Sequence, residues 1–565
     1  MRSSLLLLCV GSVLLAACSR EPTPTTADAA PAPAGEHTFS PEINADDFRV
    51  MVEALSSDDF EGRAPGSPGG EKTVEYIRAQ FERIGLEPGG ENGSYYQTVP
   101  MVETTADEST VLRIDSNGNA RDLAFGTDFV LGTRTGQAEV NVADSDLVFV
   151  GYGVDAPEQD WNDYAGIDVT GKTVVMFVND PGFHAKDDAL FDGNRMTYYG
   201  RWTYKFEEAA RKGAAAALII HDTEGASYGW DVVKNSWSGA QFDLRTEDDP
   251  EPRLPAQGWI TGEVARQLFA DSGLDLDEMY AAANQRGFKA VPLQAKASFD
   301  LQSTVTEGSS RNVIGYLPGT TRPEETIIYL AHWDHLGKHE GHDPEAGVDM
   351  IYNGAVDNAT GVAGIIEIAE QFANGERPER SVVFLAVTLE ESGLLGSKFY
   401  VAQPSFPLER TVAAINLDAM SVAGRSRDIV VNGLGSSELE DMLKVHADAQ
   451  QRVLVEEGNP AGGFYFRSDH FNFAKAGVPA LYAKGGYDLL EGGTAAGKAA
   501  SEDYGRRYHQ PSDQIHDGWR WDGIVEDLQL KYLVGSDLAT SDRWPNWYQG
   551  NPFKAARDAM RAEVQ

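Results

Sequence analysis

Cysteine is nearly absent from this chain of 565 residues. It occurs twice, as Cys9 and Cys18, and both positions lie close to the start. From residue 19 onwards there is no thiol, which excludes a disulfide framework and a cysteine-ligated zinc site in that part of the chain. Any metal site there has to be built from histidine and carboxylate side chains.

Positive charge is also scarce. The chain has 47 Lys and Arg against 87 Asp and Glu, a formal net charge of -40. Nucleic-acid binding needs a basic surface, and so does charge-driven binding to anionic lipid, so we expect neither partner. The negative charge does favour attraction of cationic groups, such as the α-amine of a peptide.

Long apolar runs are missing after the first 17 residues. No later stretch approaches the ~20 apolar residues of a membrane span. The composition is otherwise globular, with 42% hydrophobic and 10% aromatic residues. That supply of core-forming side chains excludes wholesale disorder.

The N-terminus has the pattern of an export signal. Met1-Arg2 is cationic, and residues 5–17 are nearly all apolar but too few to span a membrane. The sequence Leu15-Ala16-Ala17-Cys18 resembles a bacterial lipoprotein cleavage box, which implies cleavage before Cys18 and lipidation of that residue; an ordinary signal peptide with an incidental cysteine is the alternative. We therefore expect a signal peptide over 1–17 and a lipid anchor at Cys18 as the only link to a membrane.

The segment that follows the predicted signal peptide is a predicted tether. Residues 18–40 are rich in Pro, Ala and Thr and lack the apolar groups that a fold needs. Ser19 follows the cysteine where the enterobacterial retention signal has Asp, and this favours the outer membrane. The expected location is therefore the bacterial cell envelope, with the folded body held off the outer membrane by the tether.

The rest of the chain alternates strand and helix signals. Val74, Ile77 and Phe81 recur at helical spacing before Gly85, a natural helix stop. Buried strands are predicted over three later segments: 326–331, 381–387 and 412–417. Strands that alternate with helices favour an α/β fold with a mixed, mostly parallel sheet sandwiched by helices.

The middle of the chain resembles the protease-associated domain. The resemblance rests on three segments: DLVFVGYGV at 146–154, DYAGIDVTGKTVVMFVNDPG at 163–182 and KFEEAARKGAAAALIIHD at 205–222. It implies an inserted, β-rich α/β domain that acts as a lid or interaction module without catalytic groups. The predicted division is a first part of the main domain (41–129), the insertion (130–300), the main part with the site (301–545) and a C-terminal tail (546–565).

Acidic and histidine side chains follow the predicted strands. His332-Trp333-Asp334 comes after the first strand, Glu390-Glu391 after the second and Asp418 after the third. Ligands in open α/β sheets bind outside the carboxyl ends of the strands, so these groups are expected to face one crevice. Asp357, before a predicted helix, and His509 are two further candidates.

This combination resembles metallopeptidase family 28, the co-catalytic di-zinc aminopeptidases and glutamate carboxypeptidases. The matching segments are AHWDHLG at 331–337, NGAVDNATG at 353–361, LEESGLLGS at 389–397, NLDAM at 416–420 and YHQPSD at 508–513. The resemblance implies the zinc-peptidase fold and two Zn²⁺ per chain. It assigns His332 and Asp418 to one zinc, Glu391 and His509 to the other, and Asp357 to both.

The same resemblance implies two further roles and one backbone feature. Glu390 is the expected general base, which takes a proton from water and returns it to the leaving amine. Asp334 is expected to orient His332 through the ring nitrogen that does not face the metal, since positions i and i+2 of an extended run share a face. A cis peptide bond is expected after Asp357.

Several other patterns are weaker. His335, His339 and His342 could hold a third metal, but a polar surface loop is the favoured interpretation. Ser468-Asp469-His470 has the residue types of a hydrolase triad, but adjacent members do not assemble such a site. Tyr465 is a candidate donor to the oxyanion.

The predicted function is an exported zinc-dependent exopeptidase, most simply an aminopeptidase that hydrolyses N-terminal residues from peptides. A carboxypeptidase of the same family is the nearest rival function, because three arginines could bind a C-terminal carboxylate: Arg467, Arg506 and Arg507. Two more distant functions are compatible with the same fold: a single-zinc glutaminyl cyclase and a non-enzymatic receptor.

Overall fold

A computed structural model describes residues 37–343 and 345–562. The predicted signal peptide, Cys18 and most of the predicted tether lie outside the described residues. Within the described part of the chain, no helix is long and apolar enough to cross a bilayer.

The described residues form 21 strands. In chain order these are β1 Glu87–Pro88, β2 Tyr96–Ala106, β3 Val111–Ser116, β4 Asn119–Ala124, β5 Phe129–Gly132, β6 Glu139–Phe149, β7 Asp155–Ala156, β8 Trp161–Asn162, β9 Thr173–Phe177, β10 Ala216–Ile220, β11 Ala240–Leu244, β12 Ala256–Ile260, β13 Val291–Leu317, β14 Arg322–His332, β15 Gly337–Lys338, β16 Ile351–Tyr352, β17 Arg380–Val387, β18 Thr411–Asn416, β19 Asp428–Val431, β20 Val453–Glu456 and β21 Ala480–Gly485.

The α-helices in the same range are α1 Ala45–Leu55, α2 Pro68–Ile84, α3 Pro181–Ala185, α4 Trp202–Arg211, α5 Thr223–Ala226, α6 Trp230–Trp237, α7 Gly262–Asp271, α8 Leu276–Ala283, α9 Thr360–Asn374, α10 Leu395–Ala402, α11 Leu439–Ala449, α12 His470–Lys475, α13 Gly493–Arg507, α14 Trp521–Thr540 and α15 Lys554–Ala562. Helix α2 ends at Gly85, whose φ of 84° suits glycine, as the sequence predicts.

The main sheet is mixed, and its central strands are parallel. Its order is β11-β2-β13-β17-β14-β18-β21-β19-β20, with β1 beside the end of β13. The pairs β17–β14, β14–β18 and β18–β21 are parallel. The predicted α/β fold class is therefore confirmed.

Helices cover both faces of this sheet because its central strands are apolar on both sides. In β14, Ile327, Tyr329 and Ala331 belong to a core that includes residues of α1, α2, α9 and α14. Ile328 and Leu330 point the other way, into a second core with residues of α10 and α12. Alternation along a fully buried strand thus builds two apolar layers.

A second sheet forms the inserted domain. Its order is β4-β3-β13-β6-β9-β10-β12-β5, with β6, β9, β10 and β12 parallel. Strand β13 belongs to both sheets: its first part pairs with β3 and β6, and its second part pairs with β2 and β17. The predicted boundary at residue 300 falls inside this strand of 27 residues.

The insertion is also longer than the sequence suggests. Ala106 at the end of β2 pairs with Ser303 in β13, so the chain leaves and re-enters the main sheet at adjacent points. Strands β3 and β4 lie between these points and belong to the second sheet, although the expected first residue was 130. Below, "the insertion" means residues 107–302.

The segment predicted as a C-terminal tail packs on the main domain. Trp547 and Phe553 are buried in the core that contains Ile328. The Arg557 guanidinium donates to the backbone carbonyls of Thr411 and Val412, in β18. Residues 546–562 thereby cover the face of the sheet opposite α9.

Candidate active site

Three neighbouring strands deliver the predicted site residues to one edge of the main sheet. His332 is the last residue of β14 and pairs with Val387, the last residue of β17. Leu330 of β14 pairs with Asn416, the last residue of β18. The residues that follow β17 and β18, including Glu391 and Asp418, therefore reach the same crevice.

His332, Asp357 and Asp418 form one compact group. The Nε2 atom of His332 lies 3.1 Å from Asp357 Oδ1 and 3.4 Å from Asp418 Oδ1. All three side chains are buried. The neighbouring carboxylates raise the pKa of His332 well above its usual value, although burial acts in the opposite direction.

A second group shares Asp357 with the first. His509 Nε2 lies 3.0 Å from Glu391 Oε2 and 3.4 Å from Asp357 Oδ2. Burial and the Asp357 charge act to raise the pKa of Glu391, but His335 and His509 lower it to about 2. The two oxygens of Asp357 thus face two different groups, and all five predicted ligands come together.

His335 is a member of the second group that sequence reasoning undervalued. Its Nδ1 atom lies 2.6 Å from Glu391 Oε1, and the residue is 1% exposed. His335 therefore lies in the crevice and not on a surface loop. Its signal was its place directly after Asp334 at the end of a buried strand. His339 and His342, by contrast, lie beside Leu336 and Asp349 in the loop.

The two groups fit divalent metal ions. Donor atoms of His332, Asp357 and Asp418 lie within 4.8 Å of one another, and so do those of His335, Asp357 and Glu391. The Nε2 atoms of three histidines are buried and make no well-directed hydrogen bond to any described residue: His332, His335 and His509. Imidazole nitrogen with carboxylate oxygen is a donor set that suits zinc.

Asp334 contacts different partners from those expected. The Nδ1 atom of His332 lies 3.2 Å from the backbone carbonyl of Asp334 and 3.9 Å from its carboxylate. The carboxylate instead accepts the backbone N–H groups of Glu390 (3.1 Å) and Glu391 (3.4 Å). The expectation that this carboxylate orients His332 is wrong in detail, because the strand end curls and presents the carbonyl to the ring.

Glu390 is placed beside the first group. Its carboxyl accepts no hydrogen bond from any residue the structure describes, unlike that of Glu391. Burial and the charges of Glu391, Asp418 and Asp469 raise its pKa well above the usual value for glutamate, and His332 opposes them. A carboxyl with a raised pKa and no fixed partner is suited to exchange a proton with water.

Residues far away in sequence hold the Asp357 loop. Arg63 is buried and donates to the backbone carbonyls of Trp333, Leu55, Asn353 and Gly354 at 2.5–2.9 Å. Asp513 accepts the N–H groups of Val356 and Asp357 at 3.1–3.2 Å. The Asp357–Asn358 peptide bond is cis, as the resemblance implied. Sequence reasoning missed Arg63 and Asp513, since backbone carbonyls as partners leave no pattern in the sequence.

The Ser468-Asp469-His470 segment is not a hydrolase triad. Ser397 donates to Asp469 at 2.5 Å, and Asn416 donates to Ser468 at 2.7 Å. Burial raises the pKa of Asp469 to about 7. The ring of Tyr465 packs edge-on against His470, and its hydroxyl is buried without a partner among the described residues.

Comparison with known proteins identifies the family of this region. Residues 312–530 match the model "Peptidase family M28". This match includes every strand end described above and His509, and it omits the insertion.

Two curated relatives extend the similarity to the flanking regions. The "Probable lipoprotein aminopeptidase LpqL" of Mycobacterium tuberculosis is 23% identical over 504 residues, 84% of this chain and 80% of the relative. The "Probable glutamate carboxypeptidase AMP1" of Arabidopsis thaliana is 23% identical over 420 residues, 68% of this chain. The chain spans about half of the plant relative's length, 53%.

Among solved structures, an aminopeptidase from Aneurinibacillus sp. strain AM-1 is similar. It superposes with a TM-score of 0.48 at 20% identity, and the match covers 89% of this chain and 96% of that one.

Proposed function

Because residues 312–530 belong to peptidase family M28, we propose that the protein is a zinc-dependent aminopeptidase that hydrolyses N-terminal residues from peptides. The observation that supports this most directly is the pair of donor groups that share Asp357, with Glu390 beside them. Two zinc ions would be held by His332, Asp357 and Asp418, and by Asp357, Glu391 and His509. His335 is an additional donor in the second group.

Zinc, when bound, supplies Lewis-acid chemistry: it polarises a peptide carbonyl and makes water a stronger acid. The chain's own residues supply the rest. Glu390 accepts a proton from the attacking water at its carboxylate and passes it to the amine that leaves. The backbone N–H groups of Glu390 and Glu391 are fixed by Asp334, which keeps the two carboxylates turned to different tasks.

The preference for the N-terminal end rests on charge. The chain has a net charge of -40, and the crevice itself gathers several carboxylates, so a peptide's α-amine is attracted to it. The name of the bacterial relative agrees with this preference.

A carboxypeptidase is the second candidate, and Arg467 favours it. Of the three arginines that the sequence offers for binding a C-terminal carboxylate, Arg506 and Arg507 both pair with Asp503. Arg467 makes no ion pair with a described residue. The plant relative's name also points this way.

Peptide trimming followed by mass spectrometry distinguishes the two. The zinc-loaded protein is incubated with one peptide in three forms: free at both ends, N-acetylated and C-amidated. An aminopeptidase leaves the N-acetylated form intact and shortens the others from the N-terminus. Loss of residues from the C-terminus supports the carboxypeptidase, and a cyclised N-terminal glutamine with ammonia release supports the cyclase. No change in any form supports a binding protein.

We also propose an export signal with a lipid anchor at Cys18, and a protease-associated character for the insertion. The lipobox-like sequence and the description of the mycobacterial relative as a lipoprotein support the first. The second is supported by the three sequence segments at 146–154, 163–182 and 205–222.

A further inference from the structure

The insertion touches the main domain beside the candidate active site. Arg195 forms ion pairs with Glu456 and Glu457, and the N–H of Met196 donates to the carbonyl of Pro460 at 3.2 Å. The ring of Tyr198 packs against Phe471, 5.6 Å between centroids. Residues 195–201 of the insertion therefore lie against residues 456–471 of the main domain.

Two arginines meet at this contact without any acidic partner. Arg201 of the insertion interacts electrostatically with Arg467 of the main domain and with Tyr228. Neither arginine side chain makes a hydrogen bond or an ion pair with a residue that the structure describes. The Nε atom of Arg201 is fully buried. Burial, together with the charge of Arg467, lowers the pKa of Arg201 to about 9.

Such a pair is unusual in this molecule. The chain has 87 acidic residues for 47 basic ones, so partners are abundant. Other arginines of both domains have partners: Arg211 binds Glu208 and Glu251, and Arg63 donates to several backbone carbonyls. Two close cations with a buried donor left unsatisfied are unfavourable unless an anion joins them.

The pair is close to the candidate active site along the chain. Arg467 directly precedes Ser468 and Asp469. Asn416, at the end of β18, donates to Ser468, which fixes this turn two residues from Asp418. The Asp469 carboxyl is within electrostatic reach of His332. An anion held by Arg467 would thus belong to a molecule that also reaches the crevice.

We propose that Arg201 and Arg467 form a carboxylate-binding subsite for the peptide substrate, with one arginine from each domain. The inference rests on the proposed peptidase function. A carboxylate matches the paired N–H donors of a guanidinium, and such charge-assisted contacts are the stronger class of hydrogen bond. The carboxylate comes from the C-terminus of a short peptide or from an acidic side chain.

The test compares four peptides that differ only in this group: Leu-Leu, Leu-Leu-amide, Leu-Glu-amide and Leu-Gln-amide. For the zinc-loaded protein, we expect kcat/KM to be roughly 10- to 100-fold higher for a form with a carboxylate, the usual worth of hydrogen bonds to a charged group. Preference for Leu-Leu over its amide indicates the C-terminal carboxylate. Preference for Leu-Glu-amide over Leu-Gln-amide indicates the side chain.

Arg201→Met and Arg467→Met should each remove this preference and leave the rate with the neutral peptides unchanged. Arg201→Lys, which keeps the charge, should retain part of it. The matched control is Arg113→Met, an exposed arginine of the insertion that pairs with Asp122; it should keep the full preference. Equal rates for charged and neutral peptides in the wild-type protein, or an equal loss with all four peptides in Arg201→Met, would overturn the proposal.

Calorimetry keeps the subsite separate from the catalytic proposal. Zinc-loaded Glu390→Gln protein is titrated with Leu-Leu and Leu-Leu-amide, and with the Glu and Gln pair. Tighter binding of a carboxylate form, lost in the Arg201→Met double variant, supports the subsite even if no peptide is hydrolysed. Equal affinities contradict the subsite whether or not the protein is a peptidase.

Discussion

At the scale of single residues, adjacent glutamates are given different tasks by their contacts. Glu391 faces His335 and His509, whereas the carboxyl of Glu390 has no hydrogen-bond donor among the described residues. Their backbone N–H groups share one anchor, Asp334. Two neighbouring side chains of one type can therefore act as a ligand and as a base.

This separation predicts different outcomes for two conservative substitutions. Glu390→Gln removes the base but touches no donor group, so turnover of an aminoacyl anilide should fall by roughly 10²–10⁴-fold. Its zinc content should stay near two per chain. Glu391→Gln replaces an anionic donor with a neutral amide, so one zinc should be weakened or lost. Elemental analysis of folded protein alongside turnover measures both, and the opposite pattern would mean that the two roles are exchanged.

Arg63 predicts a stability effect beneath the site. Its guanidinium binds the carbonyls of Trp333, Leu55, Asn353 and Gly354, and Arg63→Met leaves them buried without donors. At about 1–3 kcal/mol for each buried group, partly recovered by relaxation, we expect a loss of ~3–5 kcal/mol in unfolding free energy. Urea unfolding measures it.

The control for Arg63 is Arg49→Met, in helix α1. Arg49 is exposed and pairs only with Glu53, so its replacement should cost less than ~1 kcal/mol. If both variants unfold alike, Arg63 is not a structural support for the Asp357 loop.

At the scale of elements, the sequence predicts what depends on local pattern. The strands at 326–331, 381–387 and 412–417 are observed as parts of, or within one residue of, β14, β17 and β18. Their apolar runs are long enough to identify buried strands, and topology then places His332, Glu391 and Asp418 together. His335 and Arg63 were missed because their importance depends on contacts across more than 50 residues.

Strand β13 was also missed as one element. Its 27 residues include the polar stretch Thr306-Glu307-Gly308-Ser309-Ser310, which has no strand pattern. The stretch is held in the strand by pairing with β2, a tertiary contact. A boundary placed by local pattern alone therefore cuts this strand in two.

The pairing of Ala106 with Ser303 predicts where the insertion can be removed. Replacing residues 107–302 with an Asn-Gly turn converts β2 and β13 into a hairpin, since that dipeptide favours two-residue hairpin loops. The variant should fold and bind two zinc ions, because no residue of the donor groups lies in the insertion. Circular dichroism and elemental analysis test this, and the preference for carboxylate peptides should disappear with Arg201.

A matched deletion of residues 130–300 serves as the comparison. It leaves β3 and β4 without the partner strand that β13 provides, and exposes their apolar side chains. We expect this variant to aggregate, which gel filtration detects. Zinc loss from a folded 107–302 deletion would show that the insertion supports the metal site.

At the scale of the whole molecule, the acidic charge and the two-domain crevice act together. A negative body attracts the α-amine of a peptide, while the Arg201–Arg467 pair offers a local positive site for a carboxylate. A peptide has these two charges at opposite ends. The charge distribution therefore favours one orientation of a short peptide in the crevice.

The last prediction concerns attachment to a membrane. The described part of the chain has no helix that could cross a bilayer, so membrane association has to come from Cys18 if the lipobox interpretation is right. A lipid chain contributes about 0.8 kcal/mol per buried CH₂, and stable anchoring takes two such signals. Cys18→Ala should abolish labelling by radioactive palmitate and move the protein from the membrane fraction to the soluble fraction of the expressing bacterium. Cys9→Ala is the matched control, because Cys9 lies in the segment removed by cleavage; it should leave both labelling and fractionation unchanged. Unaltered labelling of Cys18→Ala would show that the segment is an ordinary signal peptide and that the membrane contact, if any, lies elsewhere.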